Sequence, residues 1–215
     1  MRYKHIIWDW NGTLFNDAWL CVDVINSVLE ENNINKISHD YYQSIFDFPV
    51  RNYYDKLGFD WSKVSFEKVG TDFIRQYEER RHEAKLYDQT KSVLENILSR
   101  GMSQSILSAY KQETLSELVG YFGLTDYFTG VNGIDNHYAD GKIETGKRWI
   151  GELPFNPDSV LFIGDTVHDF DVAKAIGTDC VLIPGGNHTY QKLKETGAIV
   201  LHSIEEIGTF LDENR

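Results

Sequence analysis

The run Ser159-Val160-Leu161-Phe162-Ile163 constrains this chain most. It is uninterrupted, apolar, of strand length and followed by Gly164-Asp165, so it reads as a strand buried on both faces. Such strands belong to parallel sheets covered by helices. A second run, Ile6-Ile7-Trp8, has the same character and delivers Asp9 to a strand end, where Gly12 and Thr13 let the backbone turn sharply. Further strands are expected at Ser103–Ser108, Tyr127–Val131, Cys180–Ile183 and Ala198–Leu201. Helical spacing fills the gaps: Val93 to Leu98 ending at Gly101, Leu115 to Val119 closed by Gly120 or Gly123, and a helix capped by Thr145 running through Leu153. Asp169–Ile176 stopped by Gly177, a helix near Tyr190 and Ile204–Leu211 complete the alternation, which predicts an α/β core.

One stretch breaks the alternation. From Asp17 to Lys85 only helices are expected: one capped by Asp17, one by Ser38, one opened by Pro49 and stopped by Gly58, and a long one with Phe66, Val69, Phe73 and Tyr77 on one face. The predicted organisation is an α/β core over residues 1–16 and 86–215, with an all-helical insert at 17–85.

Charge limits the partners. Asp+Glu number 33 against 21 Lys+Arg, a formal net charge of -12, which argues against nucleic acid or an anionic membrane. An anionic substrate must therefore meet a locally positive pocket or a metal ion. Cys21 and Cys180 read as small buried residues without a disulfide framework. No apolar run approaches membrane-spanning length and a strand begins almost at once, so a soluble, cytoplasmic protein is expected. Monomer and homodimer stay equally open.

The chemistry gathers at strand ends, where open α/β sheets bind ligands. Asp9 is an acid able to attack phosphorus. Gly164-Asp165-Thr166-Val167-His168-Asp169 sets two more carboxylates four apart where a strand hands over to a helix. Three acids together repel unless a cation neutralises them. Hard oxygen ligands completed by phosphate oxygens suit Mg²⁺. Ser108 offers a hydroxyl, and Ala109 the following backbone N–H, to a phosphate oxygen. A cation should balance the phosphoryl group. Lys142, expected in the loop before the Thr145 helix, is favoured over Lys147 on that helix.

In this order, Asp-x-Asn-Gly-Thr, a strand-end Ser, a loop Lys and Gly-Asp-Thr-x-x-Asp resemble the four motifs of the haloacid dehalogenase-like hydrolases. The nearest branch is the phosphoglycolate phosphatase-like group. The resemblance implies a Rossmann-like parallel core with helices on both faces and an inserted helical cap domain. It also implies a Mg²⁺-dependent phosphoric monoester hydrolase acting on a small phosphorylated metabolite. Asp9 is then nucleophile and metal ligand, the Asn11 main-chain carbonyl a second ligand, and Asp165 a direct one. Asp169 binds through water or orients Lys142. Ser108, Lys142 and the backbone near Trp10, Asn11, Gly12 and Ala109 cradle the phosphate. Phe46-Asp47-Phe48-Pro49-Val50-Arg51 resembles the loop by which such caps reach the active site. Arg51 would pair with a substrate carboxylate or second phosphate, the alternative being a surface residue. The polar loop Gly133–Tyr138 is a further candidate to face substrate.

One departure matters. The family's phosphatases carry a second Asp where this chain has Asn11, and an amide cannot shuttle a proton. Loss of general acid–base help costs ~10²–10⁴ in rate. Substrates with good leaving groups are therefore favoured, or another residue such as His168 takes the proton. Two alternatives follow: phosphonate cleavage with Lys56 as the Schiff-base lysine, or a phosphate-binding regulatory homologue without turnover. Dehalogenation is disfavoured because the paired aspartates are retained.

Overall fold

The computed structural model describes residues 2–134 and 141–214. In chain order its strands are β1 (His5–Trp8), β2 (Phe15–Asn16), β3 (Lys85–Leu86), β4 (Ser103–Lys111), β5 (Gly130–Ile134), β6 (Val160–Gly164), β7 (Asp179–Leu182) and β8 (Ile199–Val200). The main sheet runs β5-β4-β1-β6-β7-β8, parallel throughout. The helices are α1 (Ala18–Glu31), α2 (His39–Ile45), α3 (Val50–Leu57), α4 (Phe66–Arg80), α5 (Thr90–Ser99), α6 (Gln112–Tyr121), α7 (Gly141–Glu152), α8 (Val167–Ile176), α9 (Tyr190–Lys194) and α10 (Glu206–Glu213). None among the described residues is long and apolar enough to cross a membrane.

The apolar runs sit at the sheet's centre because both faces are covered. Ile6, Trp8, Leu161 and Ile163 pack with Leu94 of α5, Leu118 of α6 and Phe210 of α10. Their alternates Ile7 and Phe162 pack with Val172 and Ile176 of α8. The two-residue period of each strand thus feeds two separate cores. The polar residues at the start of β4 are hydrogen-bonded. Gln104 accepts from Trp8 Nε1 (2.9 Å) and donates to the Leu94 carbonyl (3.0 Å), while Ser105 accepts from Trp149 Nε1 (2.8 Å). His5 lies between Ser103 and Ser105 at 2.7 and 2.8 Å. Burial brings its pKa down to about 4.

The stretch between Asn16 and Lys85 has its own core, in which Ile25 and Leu29 of α1 meet Tyr42, Tyr53, Leu57 and Val69. Leu20 and Val24, on another side of α1, belong to the core under the sheet, so this helix joins the two. The short antiparallel pair β2–β3 brackets the insert, a pairing too short to leave a periodic signal.

Several boundaries differ from expectation. Residues Thr125–Tyr127 form a 3-10 turn and the strand begins only at Gly130, because Tyr127 is followed by a bend rather than by ladder pairing. The helix expected to be capped by Thr145 already includes Lys142, which therefore lies on α7 and not in a preceding loop. Gly120 sits inside α6, and Gly123, at φ +66, makes the turn after it. Asp17 occupies the residue before α1 but its side chain does not cap the helix, being drawn elsewhere.

Candidate active site

Strand register assembles the site. Trp8 is level with Ile163 of β6 and with Ile106 of β4, so Asp9, Asp165 and Ser108 leave the same edge of the sheet. Asp169 sits in the first turn of α8, held by reciprocal bonds with Thr166. Ligand oxygens of Asp9, Asp165 and Asp169 all lie within 4.8 Å of one another, and all three residues are buried. The turns that allow this cannot carry side chains. Gly12 has φ +75, and a Cβ there would collide with Asp165 and Asn187; a Cβ on Gly164 would collide with Asp169.

Each acid has distinct partners. Asp169 Oδ2 accepts from the Asp165 and Thr166 amides (3.2 and 2.9 Å) and the Thr166 hydroxyl (2.7 Å). Its Oδ1 accepts from Lys142 Nζ at 2.6 Å, and Asp9 Oδ1 accepts from the same nitrogen at 2.5 Å. Asp165 accepts from Thr13 Oγ1 (3.3 Å) and from the Asn187 backbone and side-chain amides (2.5 and 3.1 Å). Lys147, by contrast, is exposed and paired with Glu144 at 2.8 Å.

The electrostatics show a shortage of positive charge. Burial, then the nearby Asp169, pushes Asp9 up to about 7 despite Lys142. Asp165 is driven well above the carboxylate range by burial, Asp169 and Asp9. For Asp169, burial is outweighed by the Lys142 charge and hydrogen bond, and its pKa falls. Burial works against the Lys142 charge too, but Asp169 and Asp9 hold it protonated. One ammonium among three buried carboxylates leaves a deficit that a divalent cation would fill, and an all-oxygen donor set suits Mg²⁺. The residues present fit such an ion.

These groups open onto a cavity of about 460 Å³, shared between the sheet edge and α1–α4. Ser108 and Ala109 line it, the Ser108 hydroxyl accepting from the Tyr110 amide at 3.1 Å. Arg51 lines it as well, though its guanidinium lies over the Trp61 and Phe66 rings and 3.7 Å from Asp55. Trp10 is packed into the core with its ring on Phe15, and the Gly12 amide is taken by Phe15 and Asp17. Neither residue lines the cavity. His168 is half-buried with its ring 4.8 Å from Phe48, rather than facing solvent. Lys56 is exposed, donates to the Ile45 carbonyl at 3.3 Å and does not line the cavity, which removes the support for a Schiff-base role. Residues Asp135–Tyr138 of the polar loop lie outside the described residues; Gly133 and Ile134 belong to β5.

Sequence reasoning missed the group beside Asn11. Asp17 accepts from Asn11 Nδ2 (2.7 Å), the Gly12 amide (3.0 Å) and the Tyr77 hydroxyl (2.5 Å), and Tyr77 comes from α4. Burial raises the Asp17 pKa, opposed by these bonds. Its place before an amphipathic stretch made it look like a cap; only the turn at Gly12 shows otherwise. Asn187, which seats Asp165 and accepts from the Tyr42 hydroxyl at 2.8 Å, left no signal beyond its neighbouring glycines.

A parallel sheet that gathers an acid, a lysine and paired aspartates at its carboxyl edge can hold a phosphoryl group beside a divalent cation. The sequence profile of haloacid dehalogenase-like hydrolases matches residues 6–183, and the chain belongs to that family. Phosphoglycolate phosphatase of Haemophilus influenzae is 25% identical over 189 residues, covering 82% of this chain and 83% of its own. Tyrosine-protein kinase PtkA of Mycobacterium tuberculosis is 22% identical over 117 residues, 54% of this chain; the chain spans only 40% of that relative's length. A haloacid dehalogenase-like hydrolase from Streptococcus pneumoniae shares the fold with a TM-score of 0.83 at 17% identity, over 98% of this chain and 99% of the other.

Proposed function

We propose that this protein is a Mg²⁺-dependent phosphatase of a small phosphorylated metabolite, working through an aspartyl-phosphate on Asp9, with residues 17–85 acting as a cap domain. The observation that carries the reading is a buried Asp9 that opens onto the cavity with Lys142, Asp165 and Asp169 around it. An Asp9 oxygen bonds to phosphorus as the ester oxygen leaves, and water then splits the acyl phosphate. Lys142, the Ser108 hydroxyl and the Ala109 amide hold the phosphoryl oxygens. Asp169, bonded to Lys142 at 2.6 Å, aims the ammonium. Asp9, Asp165, Asp169 and the Asn11 carbonyl would hold Mg²⁺, which when bound neutralises the acids and draws charge from the phosphoryl group. The Asn11 amide spends its hydrogens on Asp17 and Tyr77, so the leaving oxygen departs without a proton from this position.

The test is phosphate release from p-nitrophenyl phosphate with Mg²⁺, comparing the natural protein with Asp9→Asn. Release that disappears in the variant supports the proposal. No release from the natural protein overturns it in favour of a binding protein without turnover, and equal release from both overturns Asp9 as the attacking group.

A further inference from the structure

We infer that the ester taken by this site is that of an aromatic alcohol, a phosphate monoester carrying a planar, uncharged ring on its leaving oxygen. This rests on the phosphatase reading above and names its substrate class.

The wall opposite the acids is built of rings. Phe46, Phe48, Tyr53, Phe73, Tyr77 and Tyr110 line the same cavity as Asp9. They form two arms that reach the reacting end. In one, Phe46 and Phe48 meet edge to face at 5.3 Å, and Phe48 lies 4.8 Å from His168, the neighbour of Asp169. In the other, Phe73 stacks on Tyr77 at 6.1 Å, Tyr110 meets Tyr77 edge-on at 6.0 Å, and the Tyr77 hydroxyl is 3.1 Å from Asn11 Nδ2. A flat ring entering the cavity would meet rings of both arms, and aromatic pairs favour such face and edge contacts. Tyr53 adds a buried hydroxyl with no hydrogen-bond partner among the described residues, a group for one neutral substituent.

Among the described residues, the cavity offers little to a second anionic group. Lys142 is held between Asp9 and Asp169, Lys111 is 2.9 Å from Glu113, and Arg51 is stacked on Trp61 and Phe66 beside Asp55. Asp17, Glu67 and Glu78 add further acids to the lining. A substrate carboxylate would meet rings and like charge here, and burying it unpaired is unfavourable.

Leaving-group chemistry points the same way independently. Asn11 supplies no proton, and a phenolate departs without one where an alkoxide does not. The Asp9 oxygen–phosphorus bond forms as the phosphorus–aryl oxygen bond breaks, and the electron pair leaves with the phenolate, which takes its proton from water. A water molecule then attacks the acyl phosphate, giving inorganic phosphate and restoring Asp9.

Two measurements on the full chain with Mg²⁺ decide the matter. Calorimetric titration compares benzylphosphonate with phosphonoacetate, which share the phosphonate head but end in a ring or a carboxylate. The ring compound should bind at least about tenfold tighter, with that margin shrinking in Phe48→Ala and less so in Phe48→Leu. Phosphate release compares 1-naphthyl phosphate with phosphoglycolate, the aryl ester being preferred. Equal or reversed affinities in the natural protein overturn the inference even if a variant fails to fold, and turnover of phosphoglycolate would then leave the phosphatase reading standing. Tighter ring binding with no release from either ester keeps the ligand class and overturns the hydrolase reading.

Discussion

The two sides of the cavity are built by opposite means. At the sheet edge, charged groups sit at hydrogen-bond distances fixed by strand register, with Lys142, Thr166 and Asn187 each holding a carboxylate. On the insert side, half-buried rings such as Phe46 and Phe48 meet one another across van der Waals distances. A sheet fixes an oxygen within fractions of an ångström, whereas packed rings keep a shape while their identity changes. Under the proposed function, reaction type would belong to the first region and selectivity to the second. Isosteric changes should be ruinous at the sheet edge and graded on the insert.

The sharpest way to break that division is Asp9→Asn. Removing the nucleophile should cost at least ~10³ in turnover while far-UV circular dichroism stays unchanged; a partial loss would mean that another group attacks phosphorus. Stripping divalent cations with EDTA should cost ~10²–10³ in phosphate release, with Mg²⁺ restoring it. Asn11→Asp returns an acid to the position and should speed alkyl phosphates more than aryl ones, by up to ~10²-fold. Intact mass must be checked in the natural protein, because deamidation of Asn11-Gly12 also puts an acid at this position.

Asp17 joins the regions, binding Gly12 of the nucleophile turn and Tyr77 of α4. Asp17→Ala leaves these donors buried and should destabilise the protein by about 3 kcal/mol in urea unfolding. A loss below about 0.5 kcal/mol, the range of ordinary surface substitutions, would separate the two regions energetically. A separate effect on stability, with no change in residues, is expected from pH. Burial brings His5 and His188 down to about 4. His188 Nδ1 accepts from the Val167 amide at 3.0 Å, while Nε2 reaches the Phe46 carbonyl at 2.9 Å, so a proton on Nδ1 would confront an N–H. With folded pKa values below the unfolded one, the unfolded chain takes up protons first. The stabilisation is complete above about pH 6.5 and is lost as pH falls toward 4, at about 1.4 kcal/mol per unit for each ring. NMR titration should find both rings neutral at about pH 5.5; ordinary midpoints near 6.5 would contradict it.

Much of this was legible in the residues. The doubly buried strands β1 and β6 are continuous apolar runs, and the acids follow them directly, so Asp9, Asp165 and Asp169 could be placed without coordinates. The reach of α7 back to Gly141 was not anticipated, because Thr145 resembles a cap but lies inside the helix. The antiparallel pair β2–β3 is two residues long on each side, below any periodicity. Asp17 was misread for a physical reason: a short acid before an apolar helical stretch satisfies the capping pattern whether its carboxylate turns inward to the helix or outward to Gly12. The ring-lined wall was present as a list of aromatics, but their convergence depends on the folding of α2, α3 and α4 against one another.

The account depends most on Asp9 being the group that takes the phosphoryl moiety. Rapid acid quenching during turnover of an aryl phosphate, followed by peptide mapping, tests this directly. Phosphate should appear on the peptide containing Asp9 and vanish as substrate is exhausted. Steady turnover with no phosphopeptide, or with the label on another residue, would contradict it.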